Sequence, residues 1–118
     1  EIEKVEAVGI PVIAVTYGSQ EDLDGWIKII GQMLGREDKA AELLAYHHQT
    51  IDEISTITKD IPMEKRPKVL YFYNETIRTT GEGTYNDFWI ETTGGVNVAD
   101  SLQGWSNVNM EQVLAWIV

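Results

Sequence analysis

Residues 77–85 read "IRTTGEGTY". Arg78, Thr79, Thr80, Glu82, Thr84 and Tyr85 supply one guanidinium, three hydroxyls, a carboxylate and a phenol, suited to holding a polar or anionic ligand. Nothing in the set suggests bond cleavage: no Ser-His-Asp grouping, nucleophile elbow or spaced carboxylate pair stands out along the chain. The glycines evoke a phosphate cradle, but the G-x-x-x-x-G-K-[ST] spacing and its lysine are missing. His47 and His48 invite a metal. Adjacent helical residues point about 100° apart, however, so the two cannot close on one ion, and no H-E-x-x-H accompanies them. Trp26, Trp89 and Trp116 fall on apolar stripes and are expected in the core. Trp105 sits in "LQGWSNV", off any stripe, where a ligand or lobe contact and ordinary packing are both open. Asn74-Glu75-Thr76 matches a glycosylation sequon, a three-residue pattern that arises often by chance.

These residues need elements to carry them. "IPVIAV" (10–15) is β-branched and almost wholly apolar, which predicts a strand covered on both faces and hence a parallel α/β sheet. "TYGS" turns the chain, and Ser19 with Asp22 predicts a capped helix with apolar residues Leu23, Trp26, Ile27, Ile30 and Leu34, closed by Gly35. From Glu37 to Lys59 there is no glycine or proline. Ala40, Leu44, His47, Ile51, Ile54 and Thr58 recur at three or four, predicting one long helix of about 34 Å. Pro62 and Pro67 bracket its exit, and "KVLYFY" (68–73) is a second predicted strand.

The stretch between that strand and a helix opened by Thr84 and Asp87 is long for a strand-to-helix connection, which typically takes about two to six residues. Two readings follow: a ligand loop beyond the carboxyl end of a strand, or a solvated loop whose Thr84 merely caps a helix. Gly94-Gly95 stops that helix, "VNVA" is a short extended piece, and Asn109 with Gln112 caps a last helix, "MEQVLAWI". The same test fires at Thr50 and Glu53 inside the long helix, so capping patterns do not stand alone.

Composition narrows the partners. The 118 residues suit one domain or a piece of one, with 43% hydrophobic content and four tryptophans ruling out a disordered acidic tail. The net charge of −10, with no basic cluster beyond Lys65, Arg66 and Lys68, argues against nucleic acid and anionic membrane surfaces. Zero cysteines exclude disulfides and thiol chemistry. No run of 18 apolar residues is present. A start at Glu1 and a stop inside "VLAWIV" read as an excerpt of a longer protein.

Taken in order, "GIPVIAV", "S-x-E-D-L", "G-x-x-L-G-R-E-D-K-A-x-E-L", the long helix, "RPKVLYF", "TTGGVNVAD" and "WSNVNMEQVLA" resemble the substrate-binding proteins of ABC importers for ferric siderophores, haem and cobalamin. The resemblance runs over nearly the whole chain. It implies an α/β fold in which two Rossmann-like half-lobes are joined by one long backbone helix, with the ligand in the cleft between them. Residues 1–35 would end the first lobe, 36–61 form the inter-lobe helix and 62–118 begin the second, truncated lobe. The ligand-binding residues it implies are Tyr17, Arg78, Thr80, Glu82, Thr84, Tyr85 and Trp105. Glu111 matches a glutamate that meets an arginine of the ABC permease, beside its plain reading as a helix-start acid favoured by the dipole.

The resemblance also implies a non-catalytic, extracytoplasmic receptor, periplasmic or a cell-surface lipoprotein. It would carry a metal chelate or corrinoid, hold no cofactor of its own, and self-associate when half its cleft is missing. Two rivals stand beside it: a fragment of an α/β enzyme whose Gly/Thr loop holds an anionic cofactor, and an interaction domain without a ligand.

Overall fold

The computed structural model describes residues 1–15, 18–73 and 77–118. Elements run α1 (Ile2–Glu6), α2 (Gln20–Met33), α3 (Glu37–Thr58), a 3-10 turn (Met63–Lys65), β1 (Lys68–Val69), β2 (Arg78–Thr80), α4 (Tyr85–Thr92), β3 (Val96–Asn97), β4 (Trp105–Asn107) and α5 (Met110–Ile117). The molecule measures 55 × 35 × 20 Å. Its radius of gyration of 18.3 Å exceeds the roughly 13–14 Å of a compact chain of this length, so it is an elongated body built along α3.

Helix starts obey local chemistry. Ser19 Oγ accepts from the Asp22 amide while Asp22 accepts from the Ser19 amide, a complete capping box, and Asn109 and Gln112 form a second at α5. Helix ends obey it too. At α2 the Gly35 amide donates to the Gln32 carbonyl and Arg36 to Gly31; at α4, Gly94 donates to Glu91 and Gly95 to Ile90. Both are Schellman closures that need a left-handed residue, and Gly35 (φ 60°) and Gly94 (φ 88°) supply it.

The α3 helix is unbroken over 22 residues, about 33 Å. Its predicted stripe is the covered face: Leu44 is buried, and Ala40, His47, Ile51, Ile54 and Thr58 are half-buried. Along its first half it packs on α2, where a Cβ on Gly31 would fall 2.5 Å from the Ala40 methyl. That spacing lets the two helices cross closely. At its other end the Thr58 hydroxyl donates to the Thr92 carbonyl of α4 (2.7 Å), and the Arg66 guanidinium donates to the Ile61 and Thr58 carbonyls.

Two expectations about strands are corrected. Residues 10–15 form no strand: no described residue pairs with them, and Ile10, Ile13 and Val15 are 55%, 54% and 46% exposed. β-branched composition states what a segment tolerates, but a strand exists only through a neighbour's ladder. Among the described residues the second predicted strand, 68–73, is paired as a ladder only at Lys68–Val69, in parallel with Val96–Asn97, and Tyr73 makes a single bridge to Arg78.

The overlong loop turns out to contain a strand. β2 pairs antiparallel with β4 in the register Arg78–Asn107, Thr79–Ser106 and Thr80–Trp105. Beyond it the Gly81 and Glu82 amides donate to the Gly104 and Leu102 carbonyls. A Cβ on Gly81 would lie 2.0 Å from the Leu102 carbonyl oxygen, so only glycine allows this approach. Among the described residues the buried apolar side chains are few (Ile27, Leu44, Ala99 and Val113), and the buried side chains around α4 are polar: Thr79, Thr80, Thr84, Asp87 and Asn97.

Candidate ligand-binding site

The N-terminal ends of α2 and α4 face each other across an open cleft of about 500 Å³, lined by Ser19, Gln20, Glu21 and Asp24 from one side and Gly83, Thr84, Asp87, Phe88 and Glu91 from the other. Each helix start is fixed by its cap. Thr84 Oγ1 accepts from the Asp87 amide (3.2 Å) and donates to the Gly81 carbonyl (2.9 Å), so the hydroxyl is fully engaged and 5% exposed.

Behind α4 sits the polar centre that holds this side together. Asn97, 1% exposed, donates to the Thr80 carbonyl (2.9 Å) and to Asp87 Oδ1 (2.8 Å), and its own oxygen accepts from the Ala99 amide (3.1 Å). One side chain thereby joins β2, β3 and α4. Nothing in the sequence singled out Asn97 except its place just after Gly94-Gly95.

The residues expected in the cleft separate into several places. Thr84 lines the cleft. Tyr85 lines a neighbouring cavity of about 170 Å³ where α2, α3 and α4 meet, with Gln20, Tyr46, His47, Thr50, Ile51 and Trp89. Thr80 is a correction: pairing with β4 and packing beneath Asn97 leave it wholly buried, so its side chain reaches no solvent. Glu82 is tied to Gln103 across a bridge on the surface. Tyr17 lies outside the described residues, as does the sequon at Asn74-Glu75-Thr76. Glu111 is exposed in the first turn of α5.

Arg78 and Trp105 come together elsewhere. The Arg78 guanidinium lies 5.3 Å from the centre of the Trp105 ring, and Tyr73 and Tyr71 meet that ring edge-on at 5.3 and 6.2 Å. Trp105, Tyr73 and Tyr71 keep 40%, 46% and 37% of their surface exposed. A cation over an exposed ring is worth about 0.5–1 kcal/mol, little enough for a ligand to rearrange. The two tyrosines were missed, although their spacing of two along an extended run was a legible signal that they share a face.

His48 is exposed and bonded to Asp24. No group of three or more metal-ligating side chains occurs among the described residues.

Among the described residues, the charged side chains that line the cleft are carboxylates. Burial raises the pKa of Glu91 above its ordinary value, and the carboxylates of Asp87 and Asp100 push it further the same way. Arg66 opposes them, and Glu82 adds a smaller upward push.

The periplasmic binding protein family matches residues 1–118. The chain belongs to that family. Among solved structures it is similar to the molybdate periplasmic binding protein of a Haemophilus influenzae ABC transporter, at 23% identity and a TM-score of 0.84. It is also similar to a periplasmic haem-binding protein from Roseiflexus, at 23% identity and 0.79. A third is a candidate iron-binding periplasmic solute-binding protein from Staphylococcus epidermidis, at 24% and 0.75. The matches cover 98%, 97% and 97% of this chain, which spans 41%, 45% and 45% of theirs. No match was found among curated proteins. The fold is therefore that of a periplasmic binding protein, of which this α/β chain forms a part.

No helix among the described residues is long and apolar enough to cross a membrane.

Proposed function

We propose that this chain is part of the extracytoplasmic solute-binding component of an ABC importer, taking a ferric siderophore, haem or cobalamin-type ligand between two lobes. In this reading residues 1–35 belong to the first lobe, 36–61 to the helix between lobes and 62–118 to the second. The observation that carries it is the unbroken α3 holding the starts of α2 and α4 on opposite sides of one cleft, in a chain matched over its whole length by the periplasmic binding protein family.

Affinity in such a site comes from a preformed cleft with aromatic faces and a few polar anchors, because little conformational freedom is left to lose on binding. Tyr17, Glu82, Thr84 and Tyr85 are proposed ligand contacts, and of these Thr84 lines the cleft. Trp105 offers a ring, and Arg78 can leave it to pair with a carboxylate or propionate of the ligand. Thr80 supports the site from beneath through its carbonyl. Glu111, exposed at a helix start, is proposed to dock on the permease.

The reading is tested by titrating the complete two-lobed receptor with ferric siderophores, haem and cobalamin while following tryptophan fluorescence. Saturable quenching by one of them is expected. Silence toward all three overturns the reading.

A further inference from the structure

Beside the cleft lies a smaller space whose walls are chemically different. The cavity of about 170 Å³ where α2, α3 and α4 meet is lined by the rings of Tyr46, Tyr85 and Trp89, and no lysine or arginine lines it among the described residues. Tyr85 and Trp89 stand nearly perpendicular, at 83° with 5.8 Å between ring centres. Tyr46 is 66% exposed, so that wall reaches solvent. A space of this order accepts a ring of about six heavy atoms.

One buried atom singles this cavity out. Gln20 lines both it and the cleft. Its Nε2 donates to Asp24 Oδ1 (2.9 Å), but its Oε1 is buried and accepts no hydrogen bond from a described residue. Asp24, met on its other oxygen by His48, fixes the sense of the amide: turned over, it would set its oxygen against a carboxylate. The unmet atom is therefore an acceptor, and a donor belongs beside it. Thr50 adds acceptor capacity, because its hydroxyl proton is already given to the Tyr46 carbonyl.

Ring faces attract cations, and an unmet carbonyl takes an N–H, more strongly when the donor is charged. We propose that this cavity binds a compact alkylammonium ion of about four to six heavy atoms, with its alkyl groups against Tyr46, Tyr85 and Trp89 and its N–H on Gln20 Oε1. The site is additional to the one that takes the transported solute.

The complete receptor is titrated calorimetrically, at fixed ionic strength, with trimethylammonium, tetramethylammonium and tert-butanol. The three are alike in shape; the first has charge and an N–H, the second charge alone, the third a hydroxyl and no charge. Working at about pH 8, where an ordinary imidazole is neutral, keeps His47 on the same wall from repelling a cation. Trimethylammonium is expected to bind about ten-fold tighter than tetramethylammonium, the scale of one charge-assisted hydrogen bond, and about ten-fold tighter than tert-butanol. Gln20→Met should erase the first preference while leaving tetramethylammonium binding unchanged. Tyr46→Leu, at an exposed position, should weaken both ammonium ions about three-fold with the melting temperature unaltered.

No saturable binding of either ammonium ion, tert-butanol binding as tightly as trimethylammonium, or an N–H preference that survives Gln20→Met overturns this inference. Each of those results leaves the receptor reading standing, since the chelate titration decides it. Silence toward every chelate and corrinoid with ammonium binding retained overturns that reading and supports this one.

Discussion

Residues 1–35 and residues 62–118 meet the same demand, covering apolar strand-like segments, in opposite ways. In the first region order is local: α2 has a complete cap at each end, yet Leu34, Met33 and Val8 are 69%, 60% and 73% exposed and residues 10–15 pair with nothing described. In the second, very short strands survive because long-range polar bonds converge on Asn97 and close approaches at Gly81 lock β2 against β4. The difference teaches that regular secondary structure and tertiary closure are separate achievements. A region can have the first with little of the second.

The sharpest way to break the contrast is at Asn97. Asn97→Ala removes both donors and strands Asp87 as a buried carboxylate, so a loss of about 3–5 kcal/mol is expected in chemical denaturation followed by circular dichroism. A cost below about 1 kcal/mol would mean that the second region is not held from its polar centre.

Glycine pairs the two regions directly. Gly81→Ala places a methyl against the Leu102 carbonyl oxygen, and a loss of at least about 2–3 kcal/mol is expected. Gly25→Ala, in α2 with nothing within 4 Å of the added carbon, should instead stabilise by roughly 0.5–1 kcal/mol. Thermal unfolding of the two variants side by side reads both signs.

Ile13→Lys probes the uncovered segment. Because Ile13 lies 54% exposed, the change should alter stability by no more than about 0.5 kcal/mol and should weaken self-association in sedimentation. A larger loss would show that residues 10–15 are packed after all, and a clean monomer in the parent chain at high concentration would remove the expectation of association.

The smallest effect is electrostatic. The folded pKa of Glu91 lies above its ordinary value, so the native chain binds that proton more readily than the unfolded one. Stability therefore rises as pH falls through the folded value towards the ordinary one, and the repulsion is fully felt at neutral pH. Glu91→Gln should raise the melting temperature at pH 7 by an amount on the order of 1 °C, the group being exposed, with the gain fading in acid.

What was legible beforehand follows the same division. The caps at Ser19–Asp22 and Asn109–Gln112, the glycine stops and the stripe from Ala40 to Thr58 are all decided within a few residues, and each was read correctly. The pairing of Arg78–Thr80 with Trp105–Asn107 was not, since three-residue strands carry no periodicity and their partner lies far along the chain. Residues 10–15 misled for a related reason: apolar branching announces a need for neighbours without saying where they are. At the site, Arg78 and Trp105 were flagged separately but their contact, which depends on that unseen pairing, was not anticipated. Asp87 was read only as a cap partner, because its burial is created by Asn97 from another element.

One feature of α3 carries further than its role as a connector. It is gripped at one end by the Gly31–Ala40 crossing and at the other by Thr58 and Arg66, so the distance between the two helix starts is set by a stiff ruler. The opening behaves like a calliper locked at one gauge, and the bore is written in the count of residues along the rod. Each added turn would widen it by about 5.4 Å, giving a lineage built on this frame a stepwise rather than continuous way of admitting larger cargo.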